Sequence, residues 1–149
     1  MKIATFPLSI AFLLLACFGL ESGKYNRVLS IGDAAPAWKD LPGTDGKKHS
    51  LADLKDKPIV VVVFTCNSCP YATDYEDRLI ALAKSHADAK SAVAVVAINV
   101  NLVEEDRLPA MEAKAKEKKF NFTYLFDESQ QIARDYGAIY TPEFYVLDK

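Results

Sequence analysis

Apolar positions in this chain come in blocks whose periods differ. Ile59-Val60-Val61-Val62-Val63-Phe64 is β-branched and continuous, without alternation. That is the pattern of a strand buried on both faces, as in a sheet covered by helices. Ala92–Asn99 repeats it. Between the two, Tyr75, Leu79, Leu82 and His86 fall at helical spacing, with Glu76, Asp77 and Lys84 off that face. The spacing predicts one long helix running to about Ala89. Pro109 suits the first turn of another helix, carried by Met111, Ala113 and Ala115 into a lysine-rich end. Phe122–Phe126 reads as a short strand and Asp127–Tyr136 as a helix stopped by Gly137 at its C′ position. Thr141-Pro142 then opens a last strand, Glu143–Leu147.

Upstream, Gly32-Asp33-Ala34-Ala35-Pro36-Ala37-Trp38 leads into a short strand. Pro42-Gly43-Thr44-Asp45-Gly46 is dense in turn residues and predicts a hairpin returning through Lys47–His49. Ser50 has the form of a helix N-cap, with Asp53 near the N-terminal dipole. Strands alternating with helices in this order specify an α/β fold with parallel strand pairs.

The first twenty residues stand apart. Lys2 is the only charge before Glu21, and Ile3–Leu20 is uncharged and mostly apolar. A charged start followed by such a run has the form of a secretory signal, and its length also reaches the lower limit for a membrane anchor. Leu14-Leu15-Ala16-Cys17 resembles a bacterial lipoprotein cleavage box, in which Cys17 would carry the lipid. All three readings export the domain to an extracytoplasmic compartment, periplasmic or secreted, with membrane attachment through the N-terminal segment or Cys17 in two of them. Pro7 opposes the alternative of a buried helix. The organisation expected is a leader over 1–20, a polar tether over 21–29 and one domain over 30–149.

Composition narrows the function classes. Apolar residues make up 50% and charged residues 26% of the chain, the balance of a globular protein. A net charge of −2, with no basic stripe, argues against nucleic acid as a partner. With Cys17 in the leader, the domain keeps Cys66 and Cys69 alone. Two cysteines this close together cannot staple a fold, which points to chemistry rather than reinforcement. The pair lies between a buried strand and a predicted helix. A sulphur there meets unpaired N–H groups and the helix dipole, which favour thiolate. Cys66 is therefore the expected nucleophile and Cys69, one turn on, the resolving thiol. Asn67 and Ser68 between them are expected to tune the potential.

With these residues in place, the chain resembles a thioredoxin-like redoxin. More narrowly, it is similar to the alkyl hydroperoxide reductase/thiol-specific antioxidant family and the exported TlpA/ResA-type thioredoxins. The N-terminal hairpin, Phe64-Thr65-Cys66-Asn67-Ser68-Cys69-Pro70 and Tyr136-Gly137-Ala138-Ile139-Tyr140-Thr141-Pro142 carry the resemblance. It implies a thioredoxin-like fold, a central mixed sheet flanked by helices, with a further C-terminal strand and helix missing from this sequence. It also implies a cis Pro142, with Thr141 beside Cys66 pairing with an incoming peptide, and a thiol–disulfide oxidoreductase without cofactor or metal. Protein thiols and disulfides would be its partners.

Two departures stand out. Thr65 replaces the tryptophan usual before the first cysteine, and Val60–Val63 leave no buried acid in the strand. Glu76, Glu104 and Glu105 are acidic candidates by charge alone, and such carboxylates are mostly solvated. Cys69-Pro70 also resembles the Cys-Pro of peroxiredoxins, which keeps open a thiol peroxidase using Cys69 on peroxide. In that alignment Cys66 stands where a threonine is expected and Val62 where a proline is. A Sco-like copper site is a further alternative, with His49 and His86 the only histidines. A non-catalytic domain with a structural Cys66–Cys69 disulfide is the last.

Overall fold

The computed structural model describes residues 25–88 and 90–149. The expected leader, Cys17 and the start of the tether lie outside the described residues. Among the described residues no helix is long and apolar enough to cross a membrane.

β1 (Leu41–Pro42) and β2 (Lys48–His49) form the antiparallel hairpin. Its turn closes through Gly43 N–H to Lys47 O at 2.7 Å and Gly46 N–H to Gly43 O at 3.0 Å. The strand expected directly after Trp38 is only two residues long, because Asp40 adopts a left-handed φ of 53°. Ser50 begins a 3-10 turn, Leu51–Leu54, rather than an α-helix, and its N–H donates to Asp53 Oδ2 at 2.7 Å.

β3 (Ile59–Phe64), β4 (Val93–Asn99), β5 (Thr123–Phe126) and β6 (Glu143–Asp148) form one sheet in the order β5-β4-β3-β6. β3, β4 and β5 run parallel, and β6 pairs antiparallel with β3. This is the mixed sheet of a thioredoxin-like fold. Against one face, Val60, Val62, Phe64, Val96, Ile98 and Leu125 pack with Trp38 and with Ile132, Ala133 and Tyr136 of α4 (Gln131–Tyr136). Against the other, Ala97, Tyr124 and Phe126 pack with Met111 of α3 (Leu108–Lys118). Phe64, the last residue of β3, is wedged edge-on to Tyr136 at 5.4 Å and Tyr145 at 5.6 Å. Burying such a ring contributes about 2–3 kcal/mol, and here it fixes the strand end that carries the cysteines.

The helix after Cys69 is broken. α1 (Pro70–Thr73) stops, and α2 (Glu76–Ser85) restarts two residues later. At the break Tyr75 N–H reaches back three residues to Ala72 O at 3.1 Å, a 3-10 tightening, before Leu79 N–H resumes helical pairing with Tyr75 O. The buried face then runs through Ala72, Glu76, Leu79 and Ala83. Glu76, predicted off that face, is inside it. Its charge is met from α3 by Lys114 Nζ at 2.5 Å and Lys118 Nζ at 3.7 Å. α4 is also shorter than expected, because Asp127 forms a turn that accepts the Ile132 N–H at 2.8 Å.

The hairpin lies along β5, with Gly43 bridging Leu125 and Thr44 N–H bonded to Tyr124 O at 2.9 Å. On β6, Tyr145 and Leu147 pack into the core while Phe144 and Val146 are exposed. The last residues of the expected tether reach the domain. Asn26 Nδ2 donates to Tyr136 O at 2.7 Å and Tyr145 Oη at 3.2 Å, and its Oδ1 accepts from the N–H groups of Val28 and Leu29.

Candidate active site

Because β3 and β4 are parallel, their C-terminal ends open on the same edge of the sheet, where α/β folds gather their sites. β3 continues through Thr65, whose N–H bonds to Ile98 O at 3.0 Å, directly into Cys66. Cys66 is 3% exposed, while Cys69 is half-buried and more open. α1 begins at Pro70, so Cys69 and not Cys66 is the N-cap. This reverses the placement expected from sequence, in which the first cysteine took the helix N-terminus. The Cys69 thiol lies below its ordinary 9.0. The Ala72 N–H is the main cause. Burial opposes it, and the Thr141 side chain, the Tyr71 N–H and the Cys66 thiol add to the lowering.

Thr141–Pro142 is a cis peptide, as the resemblance implied. Thr141 meets both sulphurs: its Oγ1 lies 3.3 Å from Cys66 Sγ, and its carbonyl accepts from Cys69 Sγ at 3.5 Å. Glu143, which sequence reasoning missed, anchors this loop from within. Its Oε2 accepts from the N–H groups of Ile139 at 2.9 Å and Tyr140 at 3.1 Å, and its Oε1 from Tyr145 Oη at 2.9 Å.

Asn67 and Ser68 are gripped from the other side by a residue the sequence did not single out. Asp106 is fully buried at the end of a 3-10 turn, Glu104–Asp106. It accepts from the N–H groups of Asn67 and Ser68 and from the Ser68 hydroxyl at 2.6 Å. Asn99 Nδ2 at 3.1 Å and Asn101 Nδ2 at 3.2 Å complete its set. Burial alone would raise this carboxyl, but the bonds from Ser68, Asn67, Asn99 and Asn101 outweigh it and hold it below the ordinary 3.8. Asn67 has every polar group engaged: its side chain bonds to Glu105 O and Tyr124 Oη, and its carbonyl accepts from Lys114 Nζ at 3.1 Å. The only sequence signal for Asp106 was a polar cluster, Asn99, Asn101 and Asp106, just past the end of a buried strand.

Glu104 and Glu105 are exposed, as expected of solvated carboxylates. Glu76 lines a small hollow of about 10 Å³ with Thr65, Cys66, Asn67 and Tyr124. His49 is held in the hairpin by Asp45 at 3.0 Å, and His86 lies 3.4 Å from the Ser91 hydroxyl behind α2. Among the described residues no three His, Cys, Asp or Glu side chains gather where they could hold a metal.

The AhpC/TSA family profile matches residues 31–149. The chain belongs to the AhpC/TSA family. This redoxin chain is 31% identical over 125 residues to the chloroplastic peroxiredoxin Q of Populus jackii, covering 79% of its own length and 55% of the relative's. It thus spans about half the length of the curated relatives it matches. Among solved structures it is similar to the hypothetical protein SMc02350 from Sinorhizobium meliloti 1021, with 34% identity, a TM-score of 0.75 and coverage of 83% of this chain and 67% of that one. The thioredoxin domain of thiol-disulfide oxidoreductase BVU-2223 from Bacteroides vulgatus shares the fold, at 23% identity and a TM-score of 0.65, over 80% of this chain and 82% of that one.

Proposed function

We propose that this redoxin is a thiol–disulfide oxidoreductase whose Cys66–Cys69 pair cycles between dithiol and disulfide with a protein partner. The observation that carries the reading is the juxtaposition of both free sulphurs against Thr141. Cys69, more open and favoured as thiolate, attacks the partner disulfide. Cys66, buried beneath it, then attacks the mixed disulfide and releases the partner as a thiol. Exposed Tyr71, Leu102, Val103, Ile139 and Tyr140 come from the segments around the pair and suit an apolar stretch of protein more than a small solute. The N-terminal apolar run supports export and an extracytoplasmic setting, with Cys17 as lipid attachment if the leader is that of a lipoprotein.

The decisive experiment is trapping. A Cys66→Ser variant should accumulate mixed disulfides on Cys69, whereas Cys69→Ser should not. Trapping through Cys66 alone would return the roles to those expected from sequence, and no trapping by either variant would overturn disulfide exchange.

A second reading is supported by the Cys69 N-cap and by the peroxiredoxin Q likeness. In it, the Cys69 thiolate attacks a peroxide oxygen, giving a sulfenic acid and water or an alcohol. Cys66 then attacks that sulphur, expelling water and closing the disulfide. Peroxide consumption coupled to a thiol reductant would favour this reading.

A further inference from the structure

Asp106 holds a buried charge immediately behind the redox pair. Its residue exposes 0%. Oδ1 accepts from the backbone N–H groups of Asn67 and Ser68 and from Asn99 Nδ2, and Oδ2 from the Ser68 hydroxyl and Asn101 Nδ2. Every one of these donors is neutral. Among the described residues no Lys, Arg or His forms an ion pair with it. The charge is therefore held by hydrogen bonds and not cancelled. Away from water and ions such a charge is weakly screened.

The two residues that Asp106 grips are those separating the sulphurs. A dithiol in equilibrium with its disulfide is stabilised by anything that favours thiolate, while the neutral disulfide responds little to a nearby charge. A fixed negative charge behind the loop therefore disfavours the reduced form. Asp106 also occupies the N–H groups of Asn67 and Ser68, donors that a thiolate in this loop would otherwise compete for.

We propose that Asp106 is a positioning residue that holds the Asn67–Ser68 segment and biases the Cys66–Cys69 couple toward the reducing side. The proposal rests on the disulfide-exchange reading above. In that exchange the two thiols lose two protons and two electrons as their S–S bond forms. Oxidised glutathione takes these up as its own S–S bond breaks into two thiols.

The test equilibrates the full chain with glutathione and compares the parent with D106N and N101A. D106N removes the charge while keeping the shape. It should shift the equilibrium constant about tenfold toward the dithiol, equivalent to about 30 mV toward oxidising. N101A withdraws one donor from the carboxylate without touching the loop, and should shift it by less in the opposite direction. A D106N constant within twofold of the parent, or one moved toward the disulfide, overturns the proposal. A shift of N101A toward the dithiol does so as well, since loosening and not charge would then be at work. If circular dichroism shows D106N unfolded, the sign of the N101A shift decides. If the parent pair never closes, disulfide exchange itself fails. The role of Asp106 is then read from iodoacetamide alkylation of Cys69 at pH 7 in the Cys66→Ser background: D106N should speed it, and an unchanged rate overturns the proposal.

Discussion

At the scale of single residues, the two sulphurs differ because of where one helix begins. Pro70 starts α1 and has no N–H, so the lowering of the Cys69 thiol comes first from the Ala72 N–H, with a smaller share from that of Tyr71. Cys66 lies outside that turn and deeper. Stopped-flow alkylation of the two single-cysteine variants should show this directly. With Cys69 alone, the rate should titrate with a midpoint below the ordinary 9.0, and at neutral pH it should exceed that with Cys66 alone. Equal rates would remove the basis for assigning attack to Cys69. The sequence identified both cysteines, because a CxxC after a buried strand is a local signal. It ordered them with Cys66 first, because it put the helix N-terminus at Cys66, three residues before the boundary that makes Cys69 the N-cap.

At the scale of elements, the strands were the most legible part of the chain. Ile59–Phe64 and Val93–Asn99 are continuous β-branched runs with little alternative to a doubly covered strand. The break between α1 and α2 was not legible, since neither Asp74 nor Tyr75 is a glycine or proline, and the apolar spacing continues across it. Missing that break hid the burial of Glu76 and its pairing with Lys114, a contact between two helices far apart in sequence. Asp106 stayed hidden for a similar reason: its partners converge only once β3 and β4 pair in parallel. The C-terminus of α4 was legible and carries a further prediction. Gly137 has a φ of 68°, and a Cβ there would lie 2.4 Å from Asn26 Oδ1 and 2.9 Å from Val28 Cβ. Gly137→Ala should therefore cost about 1–3 kcal/mol. Gly32→Ala should cost less, since Gly32 shares the positive φ but has no neighbour within 4 Å. Urea unfolding of the two variants compares steric crowding plus strain with strain alone.

At the scale of the whole molecule, acid should act partly through the buried carboxylate at the site. Asp106 lies below its ordinary 3.8 in the fold, so as pH falls the unfolded chain takes up that proton first. Its contribution to stability is complete above the ordinary value and is lost as pH drops through the lower folded value. Asp45, lowered chiefly by its bond to His49, acts in the same sense. The urea midpoint should thus fall between pH 5 and the strongly acidic range, and D106N should fall less steeply over that interval. A D106N curve parallel to the parent would show that Asp106 does not contribute to the acid limb.

The sheet has two borders of different kinds. Along β5 the hairpin already occupies part of the backbone, through the Gly43–Leu125 bridge and the Thr44 amide. Along β6, among the described residues, no strand lies beyond, and Phe144 and Val146 stand out from its surface. Of the two borders, β6 is the more open one among the described residues. A polypeptide that paired with β6 would lie beside the strand that follows the cis Thr141–Pro142 peptide, the segment that meets both sulphurs.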